Sequence, residues 1–232
     1  MTIPLVLLFD VDGTLIRTGG AGVRAMNRGF QEVMGWPDAL GGLSLAGMTD
    51  LGIAHAVSRR LCGRELTSAE LSAIFDCYLV CLYEELAAAT EFRVMPGMRE
   101  FLDTHRRHPG VLLGLGTGNL EAGARLKLEH AGLFQYFRCG GYGSDALARA
   151  DVLQAGVRRA EALLGAAVPP ERIVVIGDTP LDVNAGRAIG AHTVAVATGP
   201  FTVAELGAGG AHCVVETFAD QGRLAEFLEK IM

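Results

Sequence analysis

The chain has 232 residues, a formal net charge of −6, 50% hydrophobic residues and 20% charged residues. That length can bury a full core, with room for one large domain or a domain plus an insert, and the composition excludes a disordered chain. No basic block breaks the acidic balance, which argues against a nucleic-acid partner.

The first predicted element is the apolar run Ile3–Phe9, whose Val6, Leu7, Leu8 and Phe9 read as a buried strand. It is too short to span a bilayer and lacks the charged start and cleavage-like end of a signal peptide, so a cytoplasmic chain with no membrane association is expected. Directly after it comes Asp10-Val11-Asp12-Gly13-Thr14-Leu15. Residues i and i+2 of an extended backbone point the same way, so Asp10 and Asp12 project together from the strand's carboxyl end, where open α/β sheets hold ligands. Two anions that close repel unless a cation or a shared proton compensates. The pair points to a metal, a nucleophile, or both.

From Arg17 to Phe92 only helical patterns are found. Leu71, Ile74, Phe75, Tyr78 and Leu82 recur at helical spacing, and Thr67 with Glu70 forms a capping-box signature. Gly19-Gly20-Ala21-Gly22 and Met95-Pro96-Gly97 bound the stretch as hinges, so it reads as a helical insert placed as a lid over the two carboxylates. Its methionines and aromatics are read as core.

Beyond the insert, short apolar strands alternate with helices. Val111–Leu115, Ile173–Ile176 and Thr193–Val196 are strands, with a weaker one at His212–Val215. Met98–Arg107, Leu120–His130, Val152–Leu164, Leu181–Ile189 and Gln221–Ile231 are helices. The alternation predicts an α/β fold: a doubly wound, Rossmann-like parallel sheet formed by residues 1–16 and 93–232, with an all-helical cap domain over 17–92.

Two of these strands end in polar turns. Val111–Leu115 runs into Gly116-Thr117-Gly118-Asn119, and Ile173–Ile176 runs into Gly177-Asp178-Thr179-Pro180-Leu181-Asp182. In a parallel sheet both ends share the edge that carries Asp10. Thr117 brings a hydroxyl, and the amides that follow it at a helix start favour an anion such as phosphate. Asp178 adds a third carboxylate, and such oxygen sets suit Mg²⁺, which keeps waters and takes a substrate phosphate.

The remaining chemistry-bearing residues are read as structural. The five cysteines, Cys62, Cys77, Cys81, Cys139 and Cys213, lack CxxC spacing and are expected to be reduced and mostly buried; Cys77 and Cys81 share a helical face without a histidine to complete a zinc site. The histidines show no HExxH spacing.

In order and spacing, Asp10 to Leu15, Thr117-Gly118-Asn119 and Gly177 to Asp182 resemble the first, second and fourth motifs of the haloacid dehalogenase superfamily, within it the phosphoglycolate-phosphatase-like group with a helical cap. The resemblance covers nearly the whole chain. It implies a hydrolase in which Asp10 is the nucleophile that forms an aspartyl-phosphate, and Asp12 the acid that protonates the leaving oxygen and then the base that activates water. It implies Mg²⁺ held by Asp10, Asp178 and the main-chain carbonyl of Asp12, with Thr117, Gly118 and Asn119 on the phosphate.

The third motif departs from the family, which supplies a lysine there. Gly143 to Asp151 contains none, so Arg149 is the candidate to balance phosphate and nucleophile, with Arg125, Arg158 and Lys127 as alternatives. Asp182 has two readings, a cap for the helix opened by Thr179 and Pro180, or a residue orienting the site from behind. Thr14 is read as a turn residue and Asn119 as a helix cap.

Within the resemblance, Asp12 argues for phosphoryl transfer over dehalogenation, and the lysine-free cap argues against phosphonate cleavage. Hydrolysis of a small phosphate monoester is the chosen reaction; a sugar-phosphate mutase or a catalytically silent binding protein is the alternative. Phosphoglycolate is the first substrate to try by resemblance. Arg17, Thr18, Arg24 and the loop Gly41–Asp50 are the candidates for setting substrate choice, and the chain is expected to be a monomer or homodimer.

Overall fold

The structure is a computed structural model that describes residues 3–232. In chain order its elements are β1 (Leu5–Phe9), β2 (Ile16–Arg17), α1 (Ala21–Met34), α2 (Asp50–Cys62), α3 (Ser68–Ala87), β3 (Arg93–Val94), α4 (Met98–His105), β4 (Val111–Gly116), α5 (Glu121–His130), β5 (Cys139–Gly141), α6 (Arg149–Leu164), β6 (Ile173–Gly177), α7 (Pro180–Ala188), β7 (His192–Val196), α8 (Val203–Ala208), β8 (Cys213–Val215) and α9 (Gln221–Ile231). Six strands form one sheet in the order β5-β4-β1-β6-β7-β8, and every pairing is parallel. The α/β, doubly wound sheet expected from the alternation is the one found.

The central strand β1 shows why the strands read as unbroken apolar runs. Leu5, Leu7 and Phe9 enter one hydrophobic cluster with Leu113, Leu115, Val174 and Ile176. Val6 and Leu8 enter another, with Leu112, Ile173 and Val175. Helices cover both faces, so alternate side chains are both buried and no polar phase survives. The register sets Phe9 opposite Leu115 of β4 and Ile176 of β6. Asp10, Thr117 and Asp178 therefore leave the sheet at one edge.

Between β2 and β3 the helices α1, α2 and α3 bury their own apolar cluster, which includes Met26, Phe30, Ile53, Ile74, Tyr78 and Leu82. Thr67 caps α3 in the reciprocal arrangement with Glu70 that the sequence predicts. No helix among the described residues is long and apolar enough to cross a membrane.

Several local expectations need correction. The backbone crosses to and from the helices through an antiparallel ribbon, β2 with β3, in which Ile16 faces Val94 and Arg17 faces Arg93. Strands of two residues carry no periodic signal. The glycines instead start helices: Gly20 and Gly97 precede α1 and α4 in the left-handed region. A Cβ on Gly97 would also lie 2.3 Å from the Phe218 carbonyl carbon. The edge strand β5 and the short α8 fall outside the predicted set; β5 is Cys-Gly-Gly, which lacks the β-branched residues that mark strands. Cys81 and Cys213 are buried, Cys77 and Cys139 partly so, and Cys62 is exposed; all five are free thiols.

Candidate active site

Asp10 follows β1 and is held against β6 by its amide, which donates to the Ile176 carbonyl at 2.9 Å. Its carboxylate is buried beside Arg149, whose Nη2 lies 2.7 Å from Asp10 Oδ1 and 2.6 Å from Asp182 Oδ1. Arg149 is the first residue of α6, which begins three residues earlier than the apolar pattern indicates. Arg149 and Asp151 flank a lone alanine in its first turn, so hydrophobic spacing registers only from Val152.

Asp182 makes the contacts that each of its two readings requires. Its Oδ2 accepts from the amide and hydroxyl of Thr179 at 3.1 and 2.7 Å, capping α7, while Oδ1 accepts from Nε and Nη2 of Arg149. A helix cap thereby orients the guanidinium.

Asp178 is 3% exposed, and its Oδ1 accepts from the Thr14 hydroxyl at 3.1 Å. Thr14 is therefore part of the site and not only a turn residue. A Cβ on Gly13 or Gly199 would lie 2.3 or 1.8 Å from Asp178 Oδ2, so both positions must lack a side chain for this carboxylate to fit. Gly13 additionally adopts φ +85°, which glycine tolerates best.

Carboxylate oxygens of Asp10, Asp178 and Asp182 lie within 4.8 Å of one another. Burial, then repulsion from Asp10 and Asp182, pushes the Asp178 carboxyl up to about 8. Burial also raises Asp10, with Arg149 opposing it. Burial disfavours the charge on Arg149, but Asp10 and Asp182 outweigh it and hold the guanidinium protonated. Of the three buried carboxylates, Asp10 and Asp182 share one cation and Asp178 has none. The cradle around Asp178 Oδ2 and the all-oxygen donor set fit a divalent ion. The Asp12 carboxylate lies outside this cluster, in keeping with a ligand role resting on its main-chain carbonyl alone.

Instead Asp12 Oδ2 accepts from Lys127 Nζ at 2.6 Å and from Asn119 Nδ2 at 2.8 Å. Lys127 is 4% exposed and also donates to Asn119 Oδ1 at 2.5 Å. Lys127 and Arg149 were alternatives for one role in the sequence; in the fold each faces its own aspartate. The buried face of α5 comprises Gly123, Ala124, Lys127 and Leu128. A lysine at that helical phase is the signal that marks it. Arg125 pairs with Glu129, and Arg158 is exposed.

Asn119 is not the cap of α5: Leu120 occupies that position without a side-chain cap, and Asn119 spends its amide on Asp12 and on Thr117 Oγ1, the latter at 2.8 Å. Thr117 is fully buried, and its hydroxyl accepts from Asn119. Asp50, from the inserted helices, accepts from the Leu120 amide at 2.8 Å and donates its own amide to the Gly118 carbonyl at 2.7 Å. Burial pushes the Asp50 carboxyl up to about 6, with Lys127 opposing. Asp50 carries no individual signal in the sequence, because its partners lie some 70 positions away. A Cβ on Gly118 would fall 2.2 Å from the Met48 carbonyl oxygen, so this turn of the insert sits directly on the Thr117-Gly118-Asn119 loop.

The cavity, which is open to solvent, has a volume of about 520 Å³ and is lined by Asp10, Asp12, Lys127, Arg149 and Asp178 together with the apolar Met26, Ile53 and Tyr78. Arg17, Thr18 and residues 45–48 and 50 of the Gly41–Asp50 loop line it. Arg24 does not; it pairs with Glu85 at 2.7 Å.

Without metal, the Asp178 carboxyl rises from 3.8 to about 8 in the folded state. The native state then binds more protons than the unfolded state across that window, so this group's contribution to stability falls as pH rises through it and levels off above. A divalent cation must displace the proton. Millimolar Mg²⁺ should therefore raise Tm more at pH 8 than at pH 6, read by calorimetry; an equal or absent rise would contradict the site.

The family model "haloacid dehalogenase-like hydrolase" matches residues 5–190. Among solved structures, a hydrolase from Pseudomonas syringae is 22% identical with a TM-score of 0.71, covering 98% of this chain and 99% of that one. A predicted phosphoglycolate phosphatase from Haemophilus somnus is 19% identical, with a TM-score of 0.69 and coverage of 97% and 99%. A mutant of CbbY from Rhodobacter sphaeroides in complex with xylulose-(1,5)bisphosphate is 20% identical, with a TM-score of 0.72 and coverage of 96% and 98%. No curated protein matches the sequence. With its sheet, its strand-end aspartates and a family match over most of its length, the chain belongs to the haloacid dehalogenase-like hydrolases.

Proposed function

We propose that this hydrolase is a Mg²⁺-dependent phosphatase that cleaves a small phosphate monoester through an aspartyl-phosphate on Asp10. The observation that carries the reading is the Asp10 carboxylate at the sheet edge, held by Arg149 at 2.7 Å and facing a cavity that also presents Asp12 and Asp178. Asp10 attacks phosphorus as the bond to the ester oxygen breaks, and Asp12 delivers the proton that the leaving alcohol takes up. Water then attacks the phosphorus of the acyl phosphate, Asp12 receives its proton, and the carboxylate of Asp10 returns as inorganic phosphate departs.

The side chains of Asp10 and Asp178 and the main-chain carbonyl of Asp12 would hold Mg²⁺, which when bound screens the repulsion between carboxylate and phosphate. Arg149, Thr117, Gly118 and Asn119 grip the phosphoryl oxygens, and Asp182 keeps Arg149 aimed at them. Residues 17–92 act as a cap domain on a core made of 1–16 and 93–232; residues 1 and 2 lie outside the described residues. The separate apolar cluster of the helices supports that division, and the seating of Met48 and Asp50 on the Gly118 loop supports a cap that excludes water.

The bisphosphate held by the Rhodobacter sphaeroides protein supports a phosphate-bearing small molecule as substrate. Phosphoglycolate is the first ester to test. The experiment is phosphate release from a panel of small esters with and without Mg²⁺. Metal-dependent release is expected; folded, metal-loaded protein that turns over none of them would overturn the reading. Transfer of phosphate between positions of a sugar, dependent on a bisphosphate, would identify a mutase.

A further inference from the structure

Arg17 and Arg93 face each other directly across the β2–β3 ribbon, and both line the cavity that holds Asp10 and Arg149. Opposed residues of an antiparallel pair put their side chains on the same face, where like charges destabilise each other. Nothing anionic offsets them: among the described residues neither arginine lies within ion-pair distance of a carboxylate. Glu91 lines the same cavity without pairing with either. Both side chains are exposed to solvent; other arginines without a carboxylate partner, such as Arg60, Arg99 and Arg172, donate to backbone carbonyls away from the cavity.

Arg17 is also anchored. Its Nη2 donates to the Thr198 carbonyl, and Thr198 in turn donates through its hydroxyl to the Gly13 carbonyl at 2.6 Å. A neutral carbonyl orients the guanidinium without cancelling its charge, and four of its five N–H donors remain for another acceptor. The cations lining the cavity therefore differ: Arg149 is compensated by Asp10 and Asp182, Lys127 is paired with Asp12, and at the ribbon Arg17 and Arg93 have no carboxylate partner.

We infer that Arg17 and Arg93 form a subsite for a second anionic group on the substrate, so that the preferred ester carries a carboxylate or a further phosphate remote from the phosphoryl group that is cleaved. The inference rests on the phosphatase reading for which group is cleaved, but not for whether the anion binds. Both sources of charge present oxygens that match a planar guanidinium fork. Bound between the two arginines, such a group relieves their mutual repulsion as well as gaining its own contacts. Because the ribbon joins the inserted helices to the sheet, the same contact would hold both crossing segments together around the substrate.

The test is a ratio. Mg²⁺-dependent kcat/KM is measured for a simple alkyl phosphate, for phosphoglycolate and 3-phosphoglycerate as carboxylate-bearing esters, and for a sugar bisphosphate. Wild type, Arg17→Gln/Arg93→Gln and Arg17→Lys/Arg93→Lys are compared. In wild type the doubly anionic esters of at least one kind are preferred, and which kind tells carboxylate from phosphate. The glutamine pair lowers the ratio of doubly anionic to simple ester by about tenfold or more, through KM, and the lysine pair restores much of it. A wild-type ratio near one, or a ratio that the glutamine pair leaves within twofold of wild type, would overturn the subsite. If wild type hydrolyses nothing, the phosphatase reading fails alone. Calorimetric binding of the bisphosphate to wild type and to the glutamine pair then decides the subsite, with equal affinities counting against it.

Discussion

Asp10→Asn will lower kcat for Mg²⁺-dependent ester hydrolysis by about four orders of magnitude or more, the scale seen when a covalent nucleophile is removed. The substitution keeps the shape of the side chain and its contact with Arg149, but an amide oxygen cannot form the phosphoryl bond. Its effect on folding should be small, within about 1 kcal/mol by urea denaturation, because two changes oppose each other. The variant removes a charge that burial disfavours, and it weakens one of the two carboxylate contacts of Arg149 while leaving Asp182 in place. Steady-state phosphate release beside a denaturation curve separates lost chemistry from lost fold. Turnover that persists in the variant would eliminate the aspartyl-phosphate mechanism.

Arg149→Met should show the opposite balance, a large loss of stability together with a loss of activity. The guanidinium is nearly fully buried and is the cation shared by Asp10 and Asp182. Removing one partner of a buried ionic network strands the remaining charges, at a cost of about 3–5 kcal/mol. Activity should fall by about two to three orders of magnitude as the phosphoryl oxygens lose a preorganised donor. Arg149→Lys should recover part of the stability but less of the activity, because an ammonium supplies the charge without the fork that reaches Asp10 and Asp182 together. The readouts are urea midpoints at neutral pH and kcat for the best ester. A methionine variant as stable as wild type would mean that the carboxylates are compensated from elsewhere, and the proposed role of Arg149 would need revision.

The two substitutions bear on one arrangement, in which the group that orients Asp10 also holds buried charges together. Asp182 makes the link physical: one carboxylate oxygen caps α7 and the other fixes Arg149. A helix terminus, which needs a cap in any case, is placed so that the cap also aims the cation at Asp10.

What the sequence by itself determined is local or periodic. The strands around Asp10, Thr117 and Asp178 are legible because buried parallel strands demand short unbroken apolar runs, and the edge they share follows from parallel pairing alone. The capping boxes at Thr67 and Thr179 are legible because their partners are three residues away. Tertiary structure alone decided the contacts between distant segments. Lys127 reaches Asp12 from 115 positions away, Thr14 reaches Asp178 from 164, and Asp50 docks on the Leu120 amide from 70. The ribbon that sets Arg17 opposite Arg93 is likewise too short to leave a pattern. Hydrophobic spacing records which face of an element is buried, but a buried charge is stable only against a specific partner, and that partner is chosen by the fold.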